Sequence, residues 1–223
     1  MFSKFRTPNW LIKNYYRNSV LKNKNIFKGV IYDFGCGIKP YRDILTENSE
    51  KYIGVDWNNS MHDKKMDINA DLNNIIPIKN EVADVIVSFN VLEHIKNYNI
   101  FLSEATRILK KNGTLFMIIP FQWHLHEEPY DYSRFTKFKL DSLLKELKYK
   151  KIKIDEGTGF WVTFVMKFNY HTARYVYKNN ILSYFLKIFL IPLWFIGQIL
   201  APVLDKLDYN PKETSYYIVT ANK

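Results

Sequence analysis

Residues 30–37 read VIYDFGCG: a short apolar run, an acid at its end, then two glycines around a cysteine. An apolar run bounded by a Gly-rich turn is the pattern of a buried parallel strand. The glycines let the backbone turn tightly and approach a ligand closely. Dinucleotide-binding folds seat a pyrophosphate on a related G-x-G-x-x-G loop. Here Pro40 stands where the third glycine would be, and Asp33 precedes Gly35 by two residues. A carboxylate at that place would repel a pyrophosphate and attract an ammonium group.

Working outward, further strands are expected at Tyr52–Asp56 (YIGVD), near Lys65–Ile68, and at Ala83–Phe89 (ADVIVSF), Thr114–Pro120 (TLFMIIP), Tyr149–Asp155 and Ser215–Ala221. Between them, helical spacing is expected over residues 1–28, 38–48 (helix or turn), Ile100–Leu109 and Phe138–Leu147, with Asn112-Gly113 as a C-cap. Strands alternating with helices mean βαβ units and a parallel sheet. Asp56 ends the second strand 21 residues after Gly35, where an acid accepts from ribose hydroxyls. Asp71-Leu72 follows the third strand, placed for the exocyclic amine and the face of an adenine. Any one of these acids alone reads equally well as a strand-end cap or turn residue; the set in chain order points to an adenosine-containing ligand.

The 223 residues suffice for one domain with a sizeable core, and an apolar share of 47% excludes a disordered chain. The lone Cys36 excludes an intramolecular disulfide and a Cys-based zinc site. The first residues, MFSKFRTPNW, lack a signal peptide's apolar core, so a cytoplasmic location is expected. A net charge of +10 fits an anionic partner (nucleic acid, membrane surface or acidic substrate) or merely a Lys-, Asn- and Ile-rich composition.

The stretches YDFGCGIKPY, YIGVD, ADLNNIIPIKNEVADVIVSFNVLEHI and EATRILKKNGTLFMIIP resemble the type 11 methyltransferase domain of class I S-adenosylmethionine-dependent methyltransferases. The resemblance covers roughly residues 28–155, and Ser215–Ala221 matches the family's reversed final strand. It implies an α/β, Rossmann-like, doubly wound seven-stranded sheet with S-adenosylmethionine as cofactor. By motif, Asp33, Gly35 and Gly37 would hold the methionine part, Asp56 the ribose, Asp71 and Leu72 the adenine, and Asn90 the sulfonium end. Glu93 and His94 in the VLEH signature are expected to orient the following segment. No Asn/Asp-Pro-Pro-Tyr signature follows the fourth strand, where Ser88-Phe-Asn90-Val stands, so nucleic acid is not the expected partner.

A hydroxyl acceptor needs its proton removed. Residues 121–136, FQWHLHEEPYDYSRFT, follow the fifth strand, where such folds place substrate chemistry. His126 is the first candidate base, His124 the second and Asp131 the third. Tyr130, Tyr132 and Trp123 offer flat faces for a sugar, Arg134 an anion contact or a bridge to Asp131, and Thr136 an N-cap. Alternating histidines are not enough to assert a metal, and none is expected. The HEEPYDYSRFT loop resembles methyltransferases found with polysaccharide biosynthesis.

Residues 160–208 form a helical apolar insertion between the methyltransferase segments 1–159 and 209–223. Within it, 181–204 is the most apolar stretch, and 188–204 runs 17 positions without a charge. That is short for a span, and Pro192 and Pro202 are expected to interrupt it. A peripheral contact with the inner membrane face is expected, with flanking Lys167, Arg174, Lys178 and Lys187; a helical lid or a dimer interface are the alternatives. The sequence thus points to O-methylation of a sugar or lipid-linked glycan precursor. A quinone methyltransferase and a non-catalytic membrane-binding module are the rivals.

Overall fold

A computed structural model describes residues 7–58, 65–178 and 180–223. The first six residues of the expected leading helix lie outside the described residues. The chain divides into two compact units. One comprises Ser19–Phe121, Leu125–Asp155 and Tyr216–Lys223; the other comprises Met1–Asn18, Gln122–His124 and Glu156–Ser215.

The larger unit is built on one seven-stranded sheet. Its strands are β1 (Gly29–Phe34), β2 (Ser49–Asp56), β3 (Ile68–Asn69), β4 (Ala83–Phe89), β5 (Leu109–Pro120), β6 (Lys150–Glu156) and β7 (Tyr216–Asn222), in the order β3-β2-β1-β4-β5-β7-β6. The pairs β1–β2, β1–β4, β2–β3 and β4–β5 are parallel, and β7 runs antiparallel to β5. This is the doubly wound sheet with a reversed last strand that the sequence implied. Strand order reverses beside β1, so the crevice for a ligand opens at the C-terminal ends of β1 and β4. Those ends are in register: Asp33 lies beside Gly54 of β2 and Val87 of β4.

Helices α2 (Arg42–Leu45), α3 (Tyr98–Ile108) and α4 (Lys137–Glu146) complete this unit. On α3, Phe101, Leu102, Ala105 and Ile108 recur at helical spacing and are all buried. Thr136 caps α4, its side chain accepting from Lys139 N at 3.3 Å. Arg107 of α3 donates to the carbonyls of Ile76 and Ile78 and to Glu104, whose other bond comes from Ile76 N. One guanidinium thus fixes the approach to β4.

Three local expectations need correction. Asn112-Gly113 does not cap α3, which ends at Ile108 and passes straight into β5 through an extended Leu109. Asn112 has φ 66, and the β4–β5 register shifts between Ala83 and Val85, so the pair forms an irregularity inside the strand. A Cβ on Gly113 would lie 2.9 Å from the Lys110 carbonyl, which explains the glycine. The third strand is only Ile68–Asn69, later than expected. Pro192 and Pro202 do not interrupt their helix.

The smaller unit holds α5 (Phe160–Val176) and α6 (Ile181–Leu207), and the first nine residues of α1 (Trp10–Lys22). The boundary expected at residue 160 falls at Glu156, and the chain to Asn18 joins the insertion: Leu11 N donates to the buried Gln198 side chain of α6 at 3.2 Å. Asn180 caps α6, accepting from Ser183 N at 2.8 Å. Asp205 of α6 caps α5 from outside, accepting from Gly159 N and Trp161 N at 2.8 Å each. Trp194, fully buried, donates to Thr172 at 2.8 Å. The opposite face of α6 stays exposed: Ile181, Leu182, Tyr184, Phe185, Ile188, Phe189, Leu193, Ile196 and Leu200.

Candidate active site

The loop after β1 needs both glycines. Gly35 has φ 74, and a Cβ there would fall 2.3 Å from Val91 Cγ2; Gly37 has φ 47. Gly35 N donates to Val55 O at 2.8 Å and Gly37 N to Asp56 Oδ2 at 2.8 Å, so the end of β2 clamps the loop. Asp56 Oδ1 accepts from Trp57 N at 2.8 Å. A carboxylate has about four acceptor positions, so both oxygens keep capacity for hydroxyl donors.

Asp33 is buried, with 2% exposure. Tyr52 donates to its Oδ2 at 2.5 Å, while Oδ1 has no hydrogen-bond partner among the described residues. Burial pushes its carboxyl up to about 7; the Tyr52 bond offsets part of this, and the Asp56 carboxylate adds to it. Asn90, just beyond β4, has φ 53 and a buried Oδ1 that also lacks a partner. Two unsatisfied buried acceptors at neighbouring strand ends are costly alone and suited to a cationic donor. S-adenosylmethionine carries an ammonium and a sulfonium, so these residues fit it. Burial and the nearby Asp33 carboxylate push the Cys36 thiol up to about 12, which leaves it inert.

The structure gives the two adenine candidates other contacts. Asp71 organises its own turn, accepting from Asn73 N, Asn73 Nδ2 and Asn74 Nδ2 at 2.9–3.0 Å. Leu72 is buried in the core of the larger unit.

A second cluster gathers the VLEH signature and the loop after β5. Glu93 sits in a 3-10 turn, Leu92–His94, and is fully buried. Its backbone carbonyl accepts from Tyr132 N and Ser133 N, which ties the loop to the turn. Both its carboxylate oxygens lack partners among the described residues, and burial pushes the carboxyl up to about 8. His126 Nδ1 lies 3.2 Å from Asp131 Oδ2, which also accepts from His126 N at 3.0 Å. Arg134 grips the same carboxylate at 2.5 and 2.7 Å. Burial alone would raise the Asp131 carboxyl, but the Arg134 pair outweighs it and holds it at about 2. Asp131 is therefore an anchor for His126 rather than a proton acceptor. His94 packs edge-on against the His126 ring at 4.7 Å, and burial lowers its pKa. Sequence reasoning singled out Glu93 but not its burial, which comes from a loop more than thirty residues away.

His124 belongs to the smaller unit, stacked on Tyr170 with ring centroids 3.7 Å apart. That unit carries a groove of about 680 Å³, lined by Phe160, Phe164, Phe168 and Tyr170 with Lys167 and Arg174. Among the described residues, Ile181–Leu207 is one helix long and apolar enough to cross a membrane, by length and composition.

Residues 32–117 match the model of the family described as "Methyltransferase domain". An uncharacterised protein of Methanocaldococcus jannaschii is 28% identical over 64% of this chain and 59% of its own length. The ubiquinone biosynthesis O-methyltransferase of Pelagibacter ubique is 27% identical over 48% of each chain. A solved methyltransferase from Archaeoglobus fulgidus superposes with a TM-score of 0.60 at 15% identity, covering 93% of both chains, which speaks for the fold. The chain spans about half to three fifths of the length of these curated relatives. The matched segment runs from the strand carrying Asp33 to the strand before the histidine loop and so takes in the glycine loop, Asp56 and Asn90; with this sheet order, it supports a class I S-adenosylmethionine-dependent methyltransferase.

Proposed function

We propose that the chain transfers a methyl group to an oxygen on a sugar or lipid-linked precursor of a cell-surface glycan, as a cytoplasmic protein held at the inner face of the membrane. S-adenosylmethionine, when bound, supplies an electrophilic methyl on a sulfonium. Asp33 and Asn90 hold its cationic end, Asp56 accepts from the ribose hydroxyls, and Asp71 and Leu72 meet the adenine once the turn's side-chain bonds exchange. His126, oriented through Nδ1 by Asp131, takes the acceptor proton at Nε2. Positioning of acceptor oxygen and methyl carbon in line carries much of the rate.

The observation that carries the cofactor part is the pair of unsatisfied buried acceptors, Asp33 Oδ1 and Asn90 Oδ1. The lipid-linked acceptor is supported by the exposed apolar face of α6. A single crossing by α6 alone is incompatible with the sheet: β6 precedes the insertion, β7 follows it, and they are neighbours. With charged Lys167 and Arg174 in α5, an in-plane interfacial helix fits better. A second reading, methylation of a quinone or similar apolar molecule, is favoured by the aromatic groove of the smaller unit; the named activity of the Pelagibacter relative is of this kind.

Calorimetric titration with S-adenosylmethionine and S-adenosylhomocysteine, with and without anionic vesicles, tests the reading. Saturable binding is expected, altered by vesicles. Asp56→Ala is expected to weaken it about a hundredfold, the loss of two hydrogen bonds to a charged group. Undiminished binding by that variant overturns the site. Methylation of detergent-solubilised quinone but of no glycan precursor would favour the second reading.

A further inference from the structure

We propose that Glu93, His94 and His126 form a binding site for one divalent transition-metal ion of the Zn²⁺ type. The ligand atoms of these three residues all lie within 4.8 Å of one another. Glu93 Oε1 is 3.7 Å from His94 Nε2 and 3.9 Å from His126 Nε2. Donors at about 2.0–2.1 Å from a tetrahedral zinc stand roughly 3.4 Å apart, so these two separations need to close by only a few tenths of an ångström. Two imidazoles and one carboxylate make a three-ligand set of the kind that leaves a fourth position open.

The surroundings fit ligation better than they fit a purely structural cluster. Glu93 is fully buried, and neither carboxylate oxygen has a hydrogen-bond partner among the described residues; the same is true of His94 Nε2. Two buried carboxyl oxygens and an imidazole nitrogen without partners are costly, and a cation at this point would satisfy them. The far nitrogen of each imidazole is already held. His94 Nδ1 is 3.0 Å from the Tyr130 carbonyl, and His126 Nδ1 is 3.2 Å from Asp131. A carbonyl or carboxylate behind a histidine fixes its tautomer with Nε2 toward the ion and raises its basicity. Arg134 fixes Asp131 in turn. Glu127 Oε2, 3.9 Å from His94 Nε2, is an oxygen within reach of the open position.

The site shares His126 with the methyl-transfer reading, but metal binding requires neither cofactor nor acceptor, so the two readings fail separately. Occupation excludes His126 as a proton acceptor, since the ion uses the Nε2 lone pair. A hydroxyl in the open position would then be acidified by the ion instead.

The test uses the full chain without a histidine tag, stripped with chelator and titrated with Zn²⁺ by calorimetry, in the absence of S-adenosylmethionine. One ion per chain with a micromolar or tighter Kd is expected. Glu93→Gln and His126→Ala should each weaken it at least tenfold, whereas His171→Ala, an exposed histidine of the smaller unit, should not. Glu93→Gln replaces the carboxyl by an amide of nearly the same shape, and thermal unfolding of the stripped variant checks that the fold is kept. Co²⁺ substitution should give the visible absorption of a four-coordinate ion, lost in Glu93→Gln. No saturable binding, or binding equally tight in both cluster variants (an adventitious ion only), overturns the proposal.

Discussion

The sheet and α6 draw on the same residue types and use them in opposite ways. In β4 and β5, Ile86, Leu115, Phe116 and Ile118 are essentially fully buried. On α6, Ile188, Phe189 and Ile196 keep half or more of their surface in solvent, and the most apolar stretch of the helix is 22% buried. Folding within the chain accounts for the first set and leaves the second unexplained. Burial, not composition, distinguishes an apolar residue that stabilises the fold from one reserved for something outside it.

Paired substitutions put numbers on that contrast. The largest effect is catalytic: His126→Ala is expected to lower methyl transfer to a hydroxyl acceptor by about 10²–10⁴-fold. A radiolabelled methyl-transfer assay should find this loss at least tenfold greater than that of His124→Ala, and equal losses would dissolve the distinction between the two histidines. Next, Ile86→Ala should lower the unfolding free energy by about 2–5 kcal/mol, whereas Ile188→Ala should change it by less than about 0.5 kcal/mol; urea denaturation reads both. A large cost at Ile188 would mean that α6 is core after all. Third, replacing Phe185 and Phe189 together by serine should reduce sedimentation with anionic vesicles by roughly tenfold or more, with cofactor affinity unchanged. The last is a pH effect. The Asp33 carboxyl keeps its proton up to about 7 in the fold, against 3.8 unfolded. Its contribution to stability is thus full below the unfolded value and lost as pH rises through about 7. A cationic ligand requires the carboxylate, so affinity for S-adenosylmethionine should fall by about tenfold per unit below pH 7 and level off above it. Asp33→Asn should flatten that profile.

Legibility followed the range of the interactions. VIYDFGCG was readable because an apolar strand, its terminal acid and the glycine turn are all local, and Asp56 and Asn90 sit at strand ends that pattern alone locates. The two-residue β3 carries too little pattern to place. Asn112-Gly113 reads as a helix stop because a positive φ is the same signal in a C-cap and in a strand irregularity, and only pairing with β4 separates them. His124 and His126 are equivalent in sequence, yet one stacks on Tyr170 and the other faces Asp131 and Glu93. The full burial of Glu93 depends on a loop folded over it, which no window around residue 93 contains.

The position of β7 has a kinetic consequence. It follows α6 in the chain, yet it lies inside the sheet between β5 and β6, and its pairing with β5 joins residues as far as 108 apart. During synthesis β6 must wait without this neighbour, and α6 leaves the ribosome before the strand that completes the sheet. Late, long-range pairing of this kind folds slowly and leaves apolar surface open meanwhile. Under the proposed membrane contact, early capture of α6 by a bilayer would shield that surface through the slow step.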